Sequence, residues 1–400
     1  MPSDRCQSEK PPLRVTVSIG GPFPAPLRLA AYLEREGLLE RMISFMPLYR
    51  IRWAEISDVR LVRLWPLGYL SYVARHTPIV KGWAGYTWHI AEWFDRLASR
   101  RLGACTLFNG WCMTALHSMR RAKARGMATV LQMGSMHMAT QTQLLQAEYA
   151  KFGQQQVATD PRLVEKAERE YAEADHIVVP SRLVKRTLVE KGIDPSRISI
   201  VHEAVTRRLQ GPRKSDDVFR VICVGRVELR KGVQYLLEAF SRLKLPNAEL
   251  LLVGGAQNEA KSLLARHAGL YRATGYLSGE DLGRAYSQSS VLVLPSIEDG
   301  WGHVTLEAMS CGLPVIVSAN AGSADMVENG ITGFVVPACD AHALTEKIEF
   351  LYRHPDVREQ MGRQGQLRVK DRTWATYGGE MLDVFNAVDS GMARRPTDNG

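Results

Sequence analysis

Residues 298–312, EDGWGHVTLEAMSCG, place acidic side chains beside glycines just before an apolar run with helical spacing. Glycines let backbone N–H groups approach an anion closely, and the N-terminus of a helix favours negative charge. Glu307, in the predicted first turn of this helix, suits the helix dipole or the diol of a ribose, because a carboxylate can accept two hydrogen bonds. A helix-dipole role alone would also explain Glu307. The combination of acids, glycines and helix predicts a ligand-binding loop.

A pair of basic residues follows a second predicted strand. Arg226 comes directly after the apolar stretch FRVICVG, and Lys231 lies five positions further on, just before a predicted helix. Arginine binds phosphate bidentately and lysine binds it as a point charge. Both cations follow the carboxyl end of the same strand and could therefore reach one phosphate cluster. Two ordinary surface cations would give the same pattern.

Short apolar strands separated by helical segments must position these residues. The segments 13–21 and 219–227 each end in a glycine turn followed by an amphipathic helix, which is the opening unit of a doubly wound α/β domain. Its repetition about half the chain apart predicts two such domains. Further parallel strands are predicted at 106–110, 128–134, 176–181, 248–255, 290–296, 313–319 and 333–337. Open sheets of this kind bind ligands beyond the carboxyl ends of their strands.

The domain boundaries follow from a change in composition. The polar segment 205–217 carries a Gly-Pro pair and is the predicted linker between an N-terminal domain, 1–207, and a C-terminal domain, 208–376. The last helix is predicted within 377–390, and residues 391–400 are predicted to be a disordered tail.

Composition limits the class of protein and its partners. The chain has 400 residues, a formal net charge of +9 and six scattered cysteines without metal-ligand spacing. This cysteine pattern favours a reduced, cytoplasmic chain. The basic balance favours an acidic partner such as a phosphorylated small molecule or an anionic membrane surface. Nucleic acid is not expected, because the sequence contains no basic repeat, zinc finger or aromatic RNA-binding motif. We expect no signal peptide and no membrane-spanning helix.

Residues 50–101 are unusually rich in tryptophan and basic side chains. One interpretation is a contact with the inner face of a membrane or with an amphiphilic acceptor. The other is a core of aromatic residues with a charged outer face. The tryptophans are Trp53, Trp65, Trp83, Trp88 and Trp93, and the basic residues are Arg50, Arg52, Arg60, Arg63, Arg75, Lys81, Arg96, Arg100 and Arg101.

Three longer stretches resemble retaining GT-B glycosyltransferases of family 4. They are ADHIVVPSRLVKRTLVEKGIDPSRISIVHEAV, VGRVELRKGVQYLLEAF, and the segment from GYLSGEDL through EDGWGHVTLEAMSCGLPVIVSA to GFVVP. The similarity runs almost unbroken from about residue 170 to 340 and is looser over 1–165. It implies two Rossmann-like domains facing each other across a cleft. The C-terminal domain would bind a nucleotide-sugar and the N-terminal domain the acceptor, and the last helix would cross back to the first domain.

The resemblance also implies roles for individual residues. Arg226 and Lys231 would bind the donor diphosphate, and Glu307 would hold the ribose. Leu277 lies where the family packs the nucleobase. Backbone groups of the loop and helix start would contact the sugar and phosphates, at Gly300, Trp301, Gly302, His303 and Val304.

The family's acidic motif is Glu, seven residues, Glu. Counting back eight positions from Glu307 reaches Asp299 rather than Glu298, and the glycine-aromatic-glycine after Asp299 fixes that register. Asp299 therefore takes the sugar-facing position with a side chain shorter by one methylene, and Glu298 is its neighbour.

Two further matches lie in the N-terminal half. His137 follows the strand predicted at 128–134, where the family often has a functional histidine close to the donor sugar, although a packed or surface histidine is an alternative. Gly20 and Gly21 match the glycine pair that approaches the donor phosphate. Prolines stiffen the loop after them, so this match is partial.

The predicted function is transfer of a hexose from a nucleoside diphosphate sugar to an acceptor hydroxyl with retention of configuration. UDP and GDP are the expected nucleotides. No cofactor and no metal are expected, because the chain has no Asp-x-Asp motif and its cations can neutralise the leaving group. The acceptor would be a saccharide, a lipid-linked saccharide or a small molecule. Such transfer serves exopolysaccharide, lipopolysaccharide or glycolipid assembly, or natural-product glycosylation.

Other functions fit parts of the same pattern. A nucleotide-sugar epimerase or hydrolase would use the same phosphate contacts without an acceptor. An inactive subunit would keep the fold and lose site residues, and a membrane-associated adaptor would use only the tryptophan-rich region.

Overall fold

The computed structural model describes residues 11–47, 51, 56–76, 85–154, 159–205, 209, 211 and 216–391. The chain divides into two compact units, each assembled from separate segments. Unit 1 comprises residues 1–132, 160–178 and 378–400, and unit 2 comprises residues 133–159 and 179–377.

The described strands form two parallel sheets. The seven-stranded sheet has the order β3-β2-β1-β4-β5-β6-β7, and the six-stranded sheet has the order β10-β9-β8-β11-β12-β13. The strands are β1 Val15–Ile19, β2 Leu39–Ser44, β3 Leu61–Arg63, β4 Leu107–Trp111, β5 Ala128–Gln132, β6 His176–Val179, β7 Ile198–Ile200, β8 Phe219–Val224, β9 Ala248–Val253, β10 Arg272–Gly275, β11 Val291–Leu294, β12 Val315–Ser318 and β13 Gly333–Val336.

Helices connect the parallel strands, as crossover connections require. Those described are α1 Pro24–Arg35, α2 Trp65–His76, α3 Tyr86–Ser99, α4 Leu116–Lys123, α5 Met138–Lys151, α6 Pro161–Glu173, α7 Arg182–Val189, α8 Val233–Arg242, α9 Lys261–Arg266, α10 Gly279–Ser287, α11 His303–Ser310, α12 Ala341–Arg353, α13 Pro355–Arg368 and α14 Trp374–Asp389. Among the described residues, no helix is long and apolar enough to cross a membrane.

The predicted strands are all present, but the pattern missed β2, β3, β7 and β10. Strands β3 and β7 have three residues each, too few for a periodic signal. Strand β2 has charged residues in its sequence LERMIS, and β10, RATG, lies at the edge of its sheet with polar and small residues. A strand at the edge of a sheet has a neighbouring strand on one side only and is less buried, so it needs no continuous apolar run.

The core of unit 2 lies on both faces of the six-stranded sheet. Val221 and Val293 belong to one buried cluster, whereas Ile222 and Leu292 belong to the cluster on the other face. Because successive strand side chains point to opposite faces, a run such as FRVICV can fill both. This burial explains why the central strands read as continuous apolar segments.

The chain ends and the linker are only partly described. Most of segment 205–217 and nearly all of 391–400 lie outside the described residues, so the predicted linker and disordered tail stay predictions. The predicted division into domains 1–207 and 208–376 stays a prediction as well. The last helix begins at Trp374, three residues before the predicted start at 377.

The tryptophan-rich region contains both buried and exposed aromatic residues. Trp65 on α2 and Trp93 on α3 are exposed, whereas Phe94 is fully buried. The guanidinium of Arg162 lies 4.2 Å from the ring centre of Trp88. Trp53 and Trp83 lie outside the described residues. An aromatic core and exposed aromatic side chains are therefore both present in this region.

Candidate functional site

The predicted ligand loop follows β11 in unit 2 and leads into α11. Its backbone is braced at Asp299, whose N–H donates to the carbonyl of Asn320 at 3.0 Å and whose carbonyl accepts from Gly322 at 2.8 Å. The hydroxyl of Ser181 donates to the carbonyl of Gly300 at 2.9 Å. A β-carbon at Gly300 would lie 2.1 Å from the carbonyl oxygen of Gly134. The glycine therefore serves close backbone packing at this position.

Glu298 is fully buried and its carboxylate is held from several sides. One oxygen accepts from the backbone N–H of Met136 at 3.3 Å. The other accepts from Gln141 Nε2 at 2.7 Å and from Arg230 Nε at 2.9 Å. A buried carboxylate with these partners ties the loop to the segment after β5 and to the turn before α8.

Asp299 forms the second acidic contact of the loop. Its Oδ2 lies 2.5 Å from Nζ of Lys231, and the two side chains are 13% and 18% exposed. Burial opposes ionisation of Asp299, but the charges of Lys231 and Arg230 outweigh it and lower the pKa of this carboxyl. Asp299 is thus an ionised carboxylate that solvent still reaches, unlike its neighbour Glu298. The structure joins the predicted acid of the sugar contact to the predicted lysine of the diphosphate contact.

Arg226 is the most accessible cation of this group. Its side chain is 59% exposed, and its guanidinium lies 3.1 Å from Oε1 of Glu228. Glu228 is buried, whereas the guanidinium lies mostly in water, where the attraction between the two charges is screened. The guanidinium is therefore accessible to another anion.

Helix α11 begins directly after Gly302, whose φ of +88° is in the left-handed region that favours glycine. Nε2 of His303 lies 2.9 Å from Oε2 of Glu203. Burial alone would lower the pKa of His303, but the Glu203 carboxylate more than offsets this and raises it. Glu203 thus favours the charged form of the imidazole at the first residue of α11. Together with the N–H groups of the helix start, the charged form favours an anion.

Glu307 differs from its prediction in one respect. It is the fifth residue of α11 and lies in the second turn, not the first, so the helix-dipole interpretation is wrong. Its carboxylate is buried and accepts from the hydroxyl of Tyr286 at 3.1 Å. Burial and the Glu307 charge raise the pKa of Tyr286 well above its ordinary value, so the phenol stays a donor. The tyrosine orients the carboxylate.

The remaining predicted residues of the loop contribute packing as well as backbone groups. The side chain of Trp301 is buried and stacks on the ring of His202, with centroids 5.3 Å apart. Val304 packs partly buried against the same core. The carbonyl of Trp301 accepts from the N–H of Ser323, so the predicted ligand contact of this residue stays a prediction.

Leu277 lies apart from the loop residues, after β10. It lines a cavity of about 340 Å³ together with Thr274, Leu251 and Arg284. An apolar side chain beside a polar rim suits a planar heterocycle, and the predicted nucleobase contact stays a prediction.

His137 precedes α5 and is buried in unit 2. Its backbone N–H donates to Oγ1 of Thr187 at 3.0 Å. Burial, assisted by the charge of Lys191, lowers the pKa of His137 to about 4. The imidazole is therefore neutral at physiological pH. The N–H of the adjacent Met136 donates to Glu298. His137 therefore lies on a segment that is hydrogen-bonded directly to the predicted ligand loop, called the glycine loop below because it contains Gly300 and Gly302.

Gly20 and Gly21 belong to unit 1, whereas the other predicted site residues belong to unit 2. A β-carbon at Gly20 would lie 2.7 Å from the methyl of Thr114, and one at Gly21 would lie 2.5 Å from the ring of Phe23. Local packing within unit 1 accounts for both glycines, and their predicted phosphate contact stays a prediction.

Four residues of the site escaped the sequence interpretation: Gln141, Glu203, Arg230 and Tyr286. Arg230 stands beside Lys231 and could have been chosen with it. Glu203 and Tyr286 lie far from their partners along the chain, and no local pattern marks them. Within the described part of the chain, no group of three or more His, Cys, Asp or Glu could hold a metal ion.

Part of the chain is similar to a known protein family. Residues 207–368 match the model of the family Glycosyl transferases group 1. The chain is 27% identical over 255 residues to a D-inositol 3-phosphate glycosyltransferase of Kribbella flavida, covering 58% of this chain and 60% of that protein. It is 31% identical over 162 residues to the capsular polysaccharide biosynthesis glycosyltransferase CapM of Staphylococcus aureus, covering 39% and 43%. The matches thus span about half the length of these relatives.

Solved structures share the fold along nearly the whole chain. A sucrose-phosphate synthase from Thermosynechococcus elongatus superposes with a TM-score of 0.70 at 19% identity, covering 95% of this chain and 100% of that one. The Anabaena protein HepE, solved in complex with UDP, superposes with a TM-score of 0.66 at 14% identity, covering 94% and 100%. At these identities the likeness concerns the fold alone. The predicted α/β fold of the GT-B class is confirmed.

Proposed function

We propose that this chain is a retaining glycosyltransferase that moves a hexose from a nucleoside diphosphate sugar to an acceptor hydroxyl. The observation that carries the proposal is the Lys231–Asp299 pair beside the N-terminus of α11, where Glu203 raises the pKa of His303. The family match over 207–368 covers this group of residues. The HepE structure in complex with UDP supports a nucleotide donor on this fold.

The donor diphosphate is assigned to the cations of unit 2. Lys231 and Arg226 would bind its oxygens, with the N–H groups of Gly302 and His303 completing the contact. As the bond to the sugar breaks, negative charge grows on the diphosphate. Positive groups fixed by Asp299 and Glu203 stabilise that charge without reorganising, which lowers the barrier.

The sugar and ribose are assigned to the acids and to His137. Asp299 has an accessible carboxylate for sugar hydroxyls, and Glu307, oriented by Tyr286, would accept from the ribose diol. His137, neutral above a pKa of about 4, would hydrogen-bond the sugar without adding charge. In the retaining reaction the leaving diphosphate would take the acceptor proton on the face where it departs.

The test is substitution of the two residues assigned to diphosphate and ribose. Lys231→Ala and Glu307→Ala should each lower kcat/KM at least about 100-fold and weaken nucleoside diphosphate binding. Lys261→Ala, which removes an exposed lysine of α9, is the matched control and should leave both unchanged. Normal turnover in the first two variants would overturn the proposal. Complete conversion of the donor without any acceptor would indicate an epimerase or hydrolase instead.

Metal independence is part of the proposal and rests on the cations that could neutralise the diphosphate. Activity should be unchanged after dialysis against EDTA and should not rise when Mg²⁺ or Mn²⁺ is restored. A requirement for either ion would assign charge neutralisation to a metal and remove Lys231 and Arg226 from that role.

We further propose that the acceptor belongs to surface polysaccharide, lipopolysaccharide or glycolipid assembly. The similarity to a capsular polysaccharide glycosyltransferase supports this class. Exposed aromatic residues on α2, namely Trp65, Tyr69 and Tyr72, support a peripheral contact with an anionic membrane. Vesicles with anionic lipid should sediment the protein at physiological salt, and neutral vesicles should not. Equal recovery in the supernatant with both would remove the membrane contact.

A further inference from the structure

The seven-stranded sheet has a second candidate ligand position, within unit 1. Strands β1 and β4 are neighbours, but the chain continues from β1 towards β2 and from β4 towards β5, on opposite sides. This is a topological switch point, where open α/β sheets bind ligands beyond the strand ends. Gly20 follows β1 there, and Trp111 ends β4.

A pocket of about 200 Å³ lies at this switch point. The rings of Phe23 and Trp111 stack along its wall, with centroids 4.5 Å apart and planes inclined by 22°. Phe45, Ile90 and Leu163 add further apolar surface. Water in an apolar cavity of this size is poorly hydrogen-bonded. Its replacement by an apolar group of a ligand is therefore favourable in free energy.

The pocket has little to offer a charged or highly hydroxylated ligand. None of the described residues that line it is Asp, Glu, Lys, Arg or His. The hydroxyl of Thr114 already donates to the carbonyl of Trp111 at 2.9 Å. Burial raises the pKa of the Cys112 thiol well above its ordinary value, so this thiol stays uncharged. The other hydroxyl groups of the lining are those of Ser71, Tyr86 and Thr87. A phosphate or a saccharide would therefore replace only part of its hydrogen bonds to water and would find no opposite charge.

Met113 and Thr114 form the floor of the pocket, and hydrogen bonds to Glu170 hold the backbone of this segment in place. The buried carboxylate of Glu170 accepts from the backbone N–H groups of Met113 at 2.5 Å, Ala115 at 2.8 Å and Leu116 at 3.0 Å. Met113 has a φ of +72°, an unfavourable conformation that these bonds help to hold. A braced floor keeps the pocket from collapsing, so a ligand finds it already formed.

We propose that this pocket binds an apolar, ring-sized group of the acceptor. The acceptor would carry an aromatic or alicyclic ring that enters between Phe23, Trp111 and Ile90. The consequence for catalysis rests on the proposed glycosyl transfer, whereas the binding itself does not. Among the acceptor classes, the pocket selects those that carry an apolar group over a bare saccharide.

The test is direct binding of 4-nitrophenol to the full-length protein by isothermal titration calorimetry, without nucleotide. Thr87→Trp should weaken binding at least tenfold, because Thr87 is an exposed residue at the pocket and an indole there fills it. Ser99→Trp, which adds the same side chain on α3 away from the pocket, is the matched control and should bind normally.

A second variant makes the test independent of steric effects. Phe23 is the N-cap of α1 and makes no capping hydrogen bond, so Phe23→Asp supplies a favourable cap while placing a carboxylate in the pocket. The variant should fold and lose binding of 4-nitrophenol. Unchanged binding in Phe23→Asp and Thr87→Trp, or no binding by the unsubstituted protein, would overturn the proposal.

UDP and GDP binding, measured in the same preparations, separates this inference from the proposed function. If a nucleotide binds and 4-nitrophenol does not, the pocket assignment is wrong and the glycosyl transfer stands. If 4-nitrophenol binds at the pocket and neither nucleotide binds, the pocket assignment stands and the transfer loses its donor. Tighter competition by glucose than by cyclohexanol would also contradict an apolar ligand.

Discussion

Glu298 and Asp299 are adjacent acids with different environments. Glu298 is fully buried and accepts from Met136, Gln141 and Arg230. Asp299 pairs with Lys231 and keeps some access to solvent. Glu298 has no exposed surface and three donors on its oxygens, so it stabilises the shape of the loop. The contact with a ligand is the role proposed for Asp299.

Substituting the two acids should separate these roles. Glu298→Gln removes the nearer charge opposite Arg230 and leaves that guanidinium with the longer contact to Glu228 at 3.8 Å, so the free energy of unfolding should fall by about 3 kcal/mol. Asp299→Asn should lower kcat/KM about 100-fold with a smaller loss of stability. Urea unfolding and steady-state kinetics on both variants check the prediction. A larger kinetic defect in Glu298→Gln than in Asp299→Asn, at equal stability loss, would reverse the assignment.

The His303–Glu203 pair predicts a pH dependence of stability. Because Glu203 raises the pKa of His303 above the ordinary value of 6.5, the pair contributes fully below that value. Its contribution should disappear as the pH rises through the raised pKa. His303→Asn removes the titrating group, so the difference in melting temperature between the protein and this variant should shrink as the pH rises. A difference that stays constant or grows would show that the imidazolium does not stabilise the fold.

At the scale of elements, the glycine loop depends on close backbone approach. Gly300 lies against Gly134 in the segment after β5, and Gly322 lies against Gly300. Helix α11 starts where this packing ends, at a glycine with positive φ. The direction of its N-terminal N–H groups is therefore set by backbone contacts, not by the helix sequence.

Gly300→Ala should destabilise unit 2. The new β-carbon would lie 2.1 Å from the carbonyl oxygen of Gly134, so backbone must move, at a cost of about 1–3 kcal/mol. Gly255→Ala is the matched control, because a β-carbon there meets nothing within 4 Å and the change should stay within about 0.5 kcal/mol. Urea midpoints of the two variants test this. Equal midpoints would indicate that the loop has room for a side chain.

At the scale of the whole molecule, each of the two units contains parallel strands and has a candidate ligand position. The formal charge of +9 favours anionic ligands over the entire surface, whereas the proposed site in unit 2 combines fixed cations with a helix N-terminus. Attraction by the net charge alone would let the protein bind any polyanion, whereas the proposed site should distinguish between nucleotides.

A thermal-shift screen of nucleoside diphosphates and their sugars should therefore show selectivity. A nucleotide present at about 100 times its Kd stabilises the fold by about 2.7 kcal/mol and raises the melting temperature. We expect UDP or GDP to give the largest shift and Lys231→Ala to abolish it. Equal shifts from all nucleotides and from inorganic pyrophosphate would indicate attraction by net charge alone.

The sequence by itself determined the fold class and most of the local chemistry. Buried parallel strands must be continuously apolar, so segments such as FRVICV and VLVL are legible without a structure. Arg226, Lys231 and Glu307 could be chosen because they follow or lie beside such strands in a motif with fixed spacing. The same spacing predicted that Asp299 rather than Glu298 takes the sugar-facing position, and this assignment stays a prediction.

The tertiary structure determined those features of the site that depend on contacts between distant segments of the chain. The partners Gln141, Glu203 and Tyr286 come from distant segments, and side-chain contacts between segments leave no local pattern in the sequence. Solvent access could not be predicted either. Glu298 and Asp299 differ by one methylene, and the packing around them decides that the Glu298 carboxylate is buried and that the Asp299 carboxylate keeps some exposure.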